Sequence, residues 1–100
     1  MTKIIHQFGV KYHPIPKPEG MPYVDCRILP NPFVKGVSDA ELKVRVTKLL
    51  GFDTLVQRGV KLLETNDEIS IFCLFGKHRS GAVAEEEARL TGAKIKRFEQ

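Results

Sequence analysis

The stretch that most narrows the possible folds is residues 68–75, EISIFCLF, the most apolar run in the chain. Its length suits a strand, and a strand apolar on both sides belongs at the centre of a sheet covered on both faces. It leads directly into GKHRS and then into residues 80–91, where Val83, Ala84, Ala88 and Leu90 recur at helical spacing. Glu85, Glu86, Glu87 and Arg89 are expected mostly on the outward face of that helix, and Gly92 to end it. A buried strand, a short loop and a helix make the unit from which α/β sheets are built.

The rest of the chain supplies what such a sheet needs. Residues 3–12 are rich in apolar and β-branched types and read as a strand, weakened by Gly9. Residues 13–22 hold four of the six prolines and read as an extended connector. Residues 23–29 alternate, with Val24, Cys26 and Ile28 on one side, and the strand they predict stops at Pro30-Asn31-Pro32. Ser38 with Glu41 forms a capping box for a helix carrying Leu42, Val46, Leu49 and Leu50, which Gly51 ends. Asp53 is expected to cap a second helix running to about residue 65. Residues 93–98 read as a last, edge-like strand. The sum is one α/β domain over residues 1–100: a single mixed sheet of about four strands with about three helices and a C-x5-R loop at its centre. A chain of this length buries roughly 65% of its unfolded surface, enough for one core without staples.

The loop is where chemistry is expected. Cys73-Leu74-Phe75-Gly76-Lys77-His78-Arg79-Ser80 spells C-x2-G-x2-R-S. Chain leaving a buried strand and entering a helix turns successive backbone N–H groups into one concavity, a seat for an anion. Gly76 permits the turn and a close approach. Arg79 is placed to hold two oxygens at once, Lys77 and His78 stand beside it, and Ser80 can cap the helix or reach the cysteine sulfur. Amide dipoles and an arginine around a cysteine also make the setting in which cysteine-dependent phosphatases keep their nucleophile, with Cys73 attacking and Arg79 clamping phosphate. Such an enzyme needs a general acid as well, and none of Asp25, Asp39, Asp53 and Asp67 lies in a motif that marks it as one.

Bulk properties narrow the remaining classes. The formal charge is +4 and the pI about 9.2, compatible with anionic metabolites or nucleic acid and requiring neither. No apolar run approaches a membrane span and the start does not read as a signal peptide, so a cytoplasmic protein with no membrane partner is expected. Cys26 and Cys73 lie in strand-like segments without C-x2-4-C partners, which predicts reduced thiols and no zinc site; Cys26 reads as a core residue. His6 and His13 have no partner at ligand spacing, and no metal or cofactor is expected.

Two motifs carry a family resemblance. Asp25-x-Arg27-x-Leu29-Pro30-Asn31-Pro32 is similar to a D-x-R-x-L-P-N-P segment, and Cys73-x-x-Gly76-x-His78-Arg79-Ser80 to a G-C-T-G-G-x-H-R-S-V loop, both of the carboxy-terminal domain of the RapZ family of RNase adapter proteins. Phe8-x-x-Lys11-Tyr12 and Leu63-Glu64-Thr65-Asn66 are shorter echoes. The chain resembles a stand-alone version of that domain, without the family's P-loop domain, so ATP or GTP hydrolysis is not implied. Leu74 and Phe75 replace small or hydroxyl residues, Gly81 follows the serine, and the segment after Pro32 is shorter. The resemblance implies a regulatory domain binding an amino-sugar phosphate and a small RNA. It implies a pocket lined by Cys73, Gly76, His78, Arg79 and Ser80, with Asp25 and Arg27 nearby.

Three roles stay open at this point. Asp25 and Arg27 share a strand face and are expected to pair, for structure or beside a ligand. Asn31 is placed either in a turn or at the site. Lys94, Lys96 and Arg97 serve either as RNA contacts by the resemblance or as charges guarding an edge strand. A homo-oligomer is also left open.

Overall fold

The structure is a computed structural model that describes residues 2–13 and 20–98. Its elements run β1 (Ile4–Gly9), β2 (Tyr23–Asp25), α1 (Asp39–Val46), α2 (Phe52–Thr65), β3 (Glu68–Cys73), α3 (Arg79–Thr91) and β4 (Lys94–Arg97). The strands lie in the order β2-β3-β1-β4, which puts β3 inside the sheet and β4 at an edge. Among the described residues, the four-stranded, three-helix α/β domain expected from the sequence is therefore observed. The sheet is parallel in every pairing rather than mixed. The cause lies in the connections: α1 and α2 carry the chain from β2 back to the start of β3, and α3 does the same between β3 and β4.

The register assigns the two faces. Ile5 sits opposite Ile69 and Ile95, and Val24 opposite Ile71, so these side chains share a face with Cys73. They join Val46, Phe52, Leu55, Val56, Leu63, Val83 and Ala84 from the three helices in one core. Burying each large aliphatic side chain contributes roughly 2 kcal/mol. The other face carries an aromatic row: Phe8 stacks on Phe72 at 5.5 Å, Tyr23 tilts against Phe72 at 5.5 Å, and Phe98 stacks on His6 at 5.9 Å. No described helix is long and apolar enough to cross a membrane.

Several elements depart from the expected boundaries, each for a local reason. The strand expected over 23–29 ends at Asp25, whose Oδ1 accepts the Arg27 N–H at 2.9 Å and turns residues Cys26–Ile28 into a 3-10 turn. That turn exposes Ile28 and buries Leu29. Ser38 caps α1 through the Glu41 N–H at 3.2 Å, but the helix stops at Val46 and tightens into i+3 turns over 47–49. Leu50 consequently stands 99% exposed instead of on the core face. Gly51, with φ of +96°, precedes α2 and accepts the Leu55 N–H, so Asp53 lies inside the first turn and is not the cap. α3 ends on Gly92 as expected. On α3, however, Glu87 is fully buried against Gly59 of α2, and Leu90 is half exposed. The proline-rich connector expected over 13–22 falls largely outside the described residues.

Candidate functional site

The loop between β3 and α3 is built by backbone before any side chain acts. Pairing between β1 and β3 continues past the strand ends, with the N–H groups of Val10 and Lys11 donating to the carbonyls of Cys73 and Leu74 at 2.9 and 3.0 Å. The chain then folds over β1 so closely that a Cβ on Gly9 would overlap the Phe75 and Gly76 backbone, and a Cβ on Gly76 would overlap Gly9 and Phe8. Gly76 also has φ of +77°, which favours glycine. Two glycines 67 positions apart are thus one contact, and Gly9 is a requirement of the loop rather than a weak point of β1.

Buried polar groups fix the underside. Gln7, 2% exposed, donates through Nε2 to the Gly76 carbonyl at 2.7 Å and to Ser80 Oγ at 2.8 Å. Ser80 Oγ in turn lies 3.1 Å from Cys73 Sγ, and the Gly76 N–H donates to the same sulfur at 3.2 Å. Of the two roles open to Ser80, the sulfur contact is the observed one: α3 has no side-chain cap. Among the described residues, the backbone N–H groups of Lys77, His78, Arg79 and Ser80 have no acceptor. Those of His78, the N-cap, and of Arg79 and Ser80 are open donors at the positive end of a 13-residue helix, and Lys77 immediately precedes them.

Arg79 is 8% exposed. Its Nη1 donates to the Leu29 carbonyl at 3.0 Å, and its other N–H groups have no acceptor among the described residues. One donor therefore anchors the guanidinium, and Arg79 lines a cleft with a volume of about 360 Å³. Cys73, Lys77 and His78 line the same cleft from the loop, and Asn31, Pro32, Phe33, Asp39, Tyr12 and Phe75 from around it. His78 Nε2 bonds Asp39 Oδ1 at 2.8 Å. That bond, helped by the nearby His78, Lys77 and Lys43 charges, holds the Asp39 carboxyl below its ordinary range and therefore ionised.

The other sequence candidates divide. Asn31 lines the cleft and also accepts the Phe33 N–H through Oδ1 at 3.1 Å, so its turn role and its place at the site coexist. Asp25 and Arg27 form a bidentate pair, with Arg27 Nη2 2.8 Å from Oδ2, and Arg27 lies over the Phe72 ring on the sheet face opposite Cys73. Neither lines the cleft. Arg27 beside it holds the Asp25 carboxyl below its ordinary range, against the opposing effect of burial. Lys94 and Lys96 stand exposed on β4, while Arg97 Nη2 pairs with Glu85 Oε2 at 3.0 Å. Cys26 is buried and free, its thiol pushed far up by burial, and Cys73 is likewise free of any disulfide. No three His, Cys, Asp or Glu side chains among the described residues gather as a metal site.

Sequence reasoning missed Gln7, Tyr12, Phe33 and Asp39 as site residues. Asp39 had one readable signal, its place in the first turn of a capped helix. Gln7 had none, because its partners lie 69 and 73 residues away. No protein-family model and no curated protein matches the chain.

Proposed function

We propose that this domain binds a phosphorylated small molecule without turning it over, seating the phosphate in the loop of residues 73–80, and that exposed basic residues on β4 contact RNA. One observation carries the first half. Four successive amides, Lys77 to Ser80, and the unanchored donors of Arg79 lack acceptors among the described residues, beside a cleft. Donors gathered on one side of a cleft without partners in the protein can be satisfied several at a time by a tetrahedral anion. The likeness of both motifs to the RapZ carboxy-terminal domain supports the same reading and suggests an amino-sugar phosphate and RNA as the family's ligand types. Lys94, Lys96 and Arg97 are the residues assigned to RNA.

Thermal melts in inorganic phosphate and in glucose 6-phosphate test it. A ligand at ~100 Kd adds about 2.7 kcal/mol to folding stability, a readily measured rise in Tm. Arg79→Lys keeps the charge and loses the planar fork, and is expected to weaken phosphate binding about tenfold. No shift with any phosphate at millimolar concentration refutes the assignment.

A second reading rests on Cys73 Sγ, which lines the cleft and accepts the Gly76 N–H as a phosphatase nucleophile would. Asp39, the carboxyl at the cleft, is held ionised and so is poorly suited to protonate a leaving group. Turnover of p-nitrophenyl phosphate that Cys73→Ser abolishes would establish the enzyme; the expected result is no turnover above background.

A further inference from the structure

The walls of the cleft differ in character from its floor. The loop contributes cations and amides, but Phe33, Tyr12 and Pro32 stand across the opening, and Phe33 remains 62% exposed and Tyr12 42% exposed. Lys11 adds a positive charge at this edge, its Nζ 5.9 Å from the Tyr12 ring centroid and 5.0 Å from that of Phe75. Exposed aromatic side chains gathered at one cleft offer a contact face to a flat, apolar group.

Such walls suit a flat aromatic ring better than a hexose. Each of its ring hydroxyls gives up hydration on entering and needs a polar partner in return. Two of the polar atoms around the opening are already engaged: Asn31 Oδ1 accepts the Phe33 N–H, and Asp39 Oδ1 is bonded to His78. Among the described residues, the second Asp39 oxygen, Asn31 Nδ2, the Tyr12 hydroxyl and the Lys77 ammonium remain. A planar ring asks for little hydrogen bonding at its faces and gains most from aromatic neighbours.

Resting on the phosphate-seat reading above, we infer that the preferred ligand is a monophosphate ester bearing a planar aromatic ring, with its phosphate in the loop and its ring against Phe33 and Tyr12. A nucleoside monophosphate and a simple aryl phosphate share this chemistry and differ in how far the ring lies from the phosphate.

Isothermal titration of the full chain with AMP, phenyl phosphate, glucose 6-phosphate and inorganic phosphate separates the cases. At least one of AMP and phenyl phosphate is expected to bind about tenfold or more tighter than glucose 6-phosphate, an advantage within what one stacked ring supplies. The tighter of the two identifies the source. Phe33→Ala, at an exposed loop position whose N–H bond to Asn31 alanine retains, is expected to erase that advantage while leaving inorganic phosphate affinity unchanged. Glucose 6-phosphate binding as tightly as both aromatic esters overturns the inference and leaves the phosphate seat standing. Phe33→Ala weakening all four ligands equally also overturns it, since Phe33 would then act on the loop and not on the ring. Failure of all four to bind removes the phosphate seat itself.

Discussion

Glu87 is the most consequential buried group outside the cleft, and its replacement by glutamine makes a quantitative test of the helix packing. Its two acidic neighbours are paired in the open: Glu85 with Lys43 and Arg97, Glu86 with Arg89. Glu87 points inward, is fully buried, and neither carboxyl oxygen has a hydrogen-bond partner among the described residues. The space exists because α2 has no side chain at Gly59, where a Cβ would overlap Glu87 Oε1. Burial without compensation raises the carboxyl from 4.5 to about 7.

A folded-state value above the unfolded one means that the native protein holds the extra proton between the two. Stability from this group is complete below about pH 4.5, falls as pH rises toward 7, and reaches a lower plateau once the folded-state carboxyl ionises. At 1.36 kcal/mol per unit, the loss across that window is about 3 kcal/mol, a large share of the 5–15 kcal/mol that holds a domain together. Glu87→Gln keeps the shape and cannot ionise. Urea titrations of both proteins at pH 5 and pH 8 give the readout, because every other titrating group is common to the two and cancels in the difference. Relative to wild type, the glutamine variant is expected to gain about 2.5 kcal/mol between those pH values, equivalent to a Tm difference widening by about 10 °C or more. A difference that stays constant from pH 5 to pH 8 refutes the buried, unpaired carboxyl.

Gly76→Ala places a Cβ into the Gly9 and Phe8 backbone at a positive φ, so a loss of at least about 1–3 kcal/mol in denaturant titration is expected, together with phosphate binding. Unchanged stability would mean that the Gly9–Gly76 contact does not hold the loop. Replacing Lys94, Lys96 and Arg97 together by alanine should flatten the dependence of RNA affinity on salt, with each lost phosphate contact reducing the slope by about 0.7 for a single strand. A slope that does not move removes β4 from the RNA reading.

What the sequence made legible was local, and what it hid was distant. The central strand, the loop and α3 could be read because an apolar run, C-x2-G-x2-R-S and a terminal Gly92 declare themselves within 25 residues. The inward turn of Glu87 could not, since it depends on a missing side chain 28 positions earlier on another helix. The strand expected over 23–29 failed for a reason present in the sequence but outweighed in its reading: alternation predicted a strand, while Asp25 two residues before the Arg27 amide favoured a turn.

That turn also joins two motifs that look unrelated on paper. Asp25 and Arg27 do not reach the cleft; they close the 3-10 turn after β2 and clamp it over Phe72. The turn delivers the Leu29 carbonyl to Arg79, fifty residues on, and sets Asn31 and Pro32 at the cleft wall. Without that carbonyl, the buried guanidinium would have one more unpaired donor and no fixed direction. The D-x-R-x-L-P-N-P segment thus acts on the site through the aim of Arg79, by supplying a backbone acceptor at the place where a charged side chain must be held while most of its donors stay available.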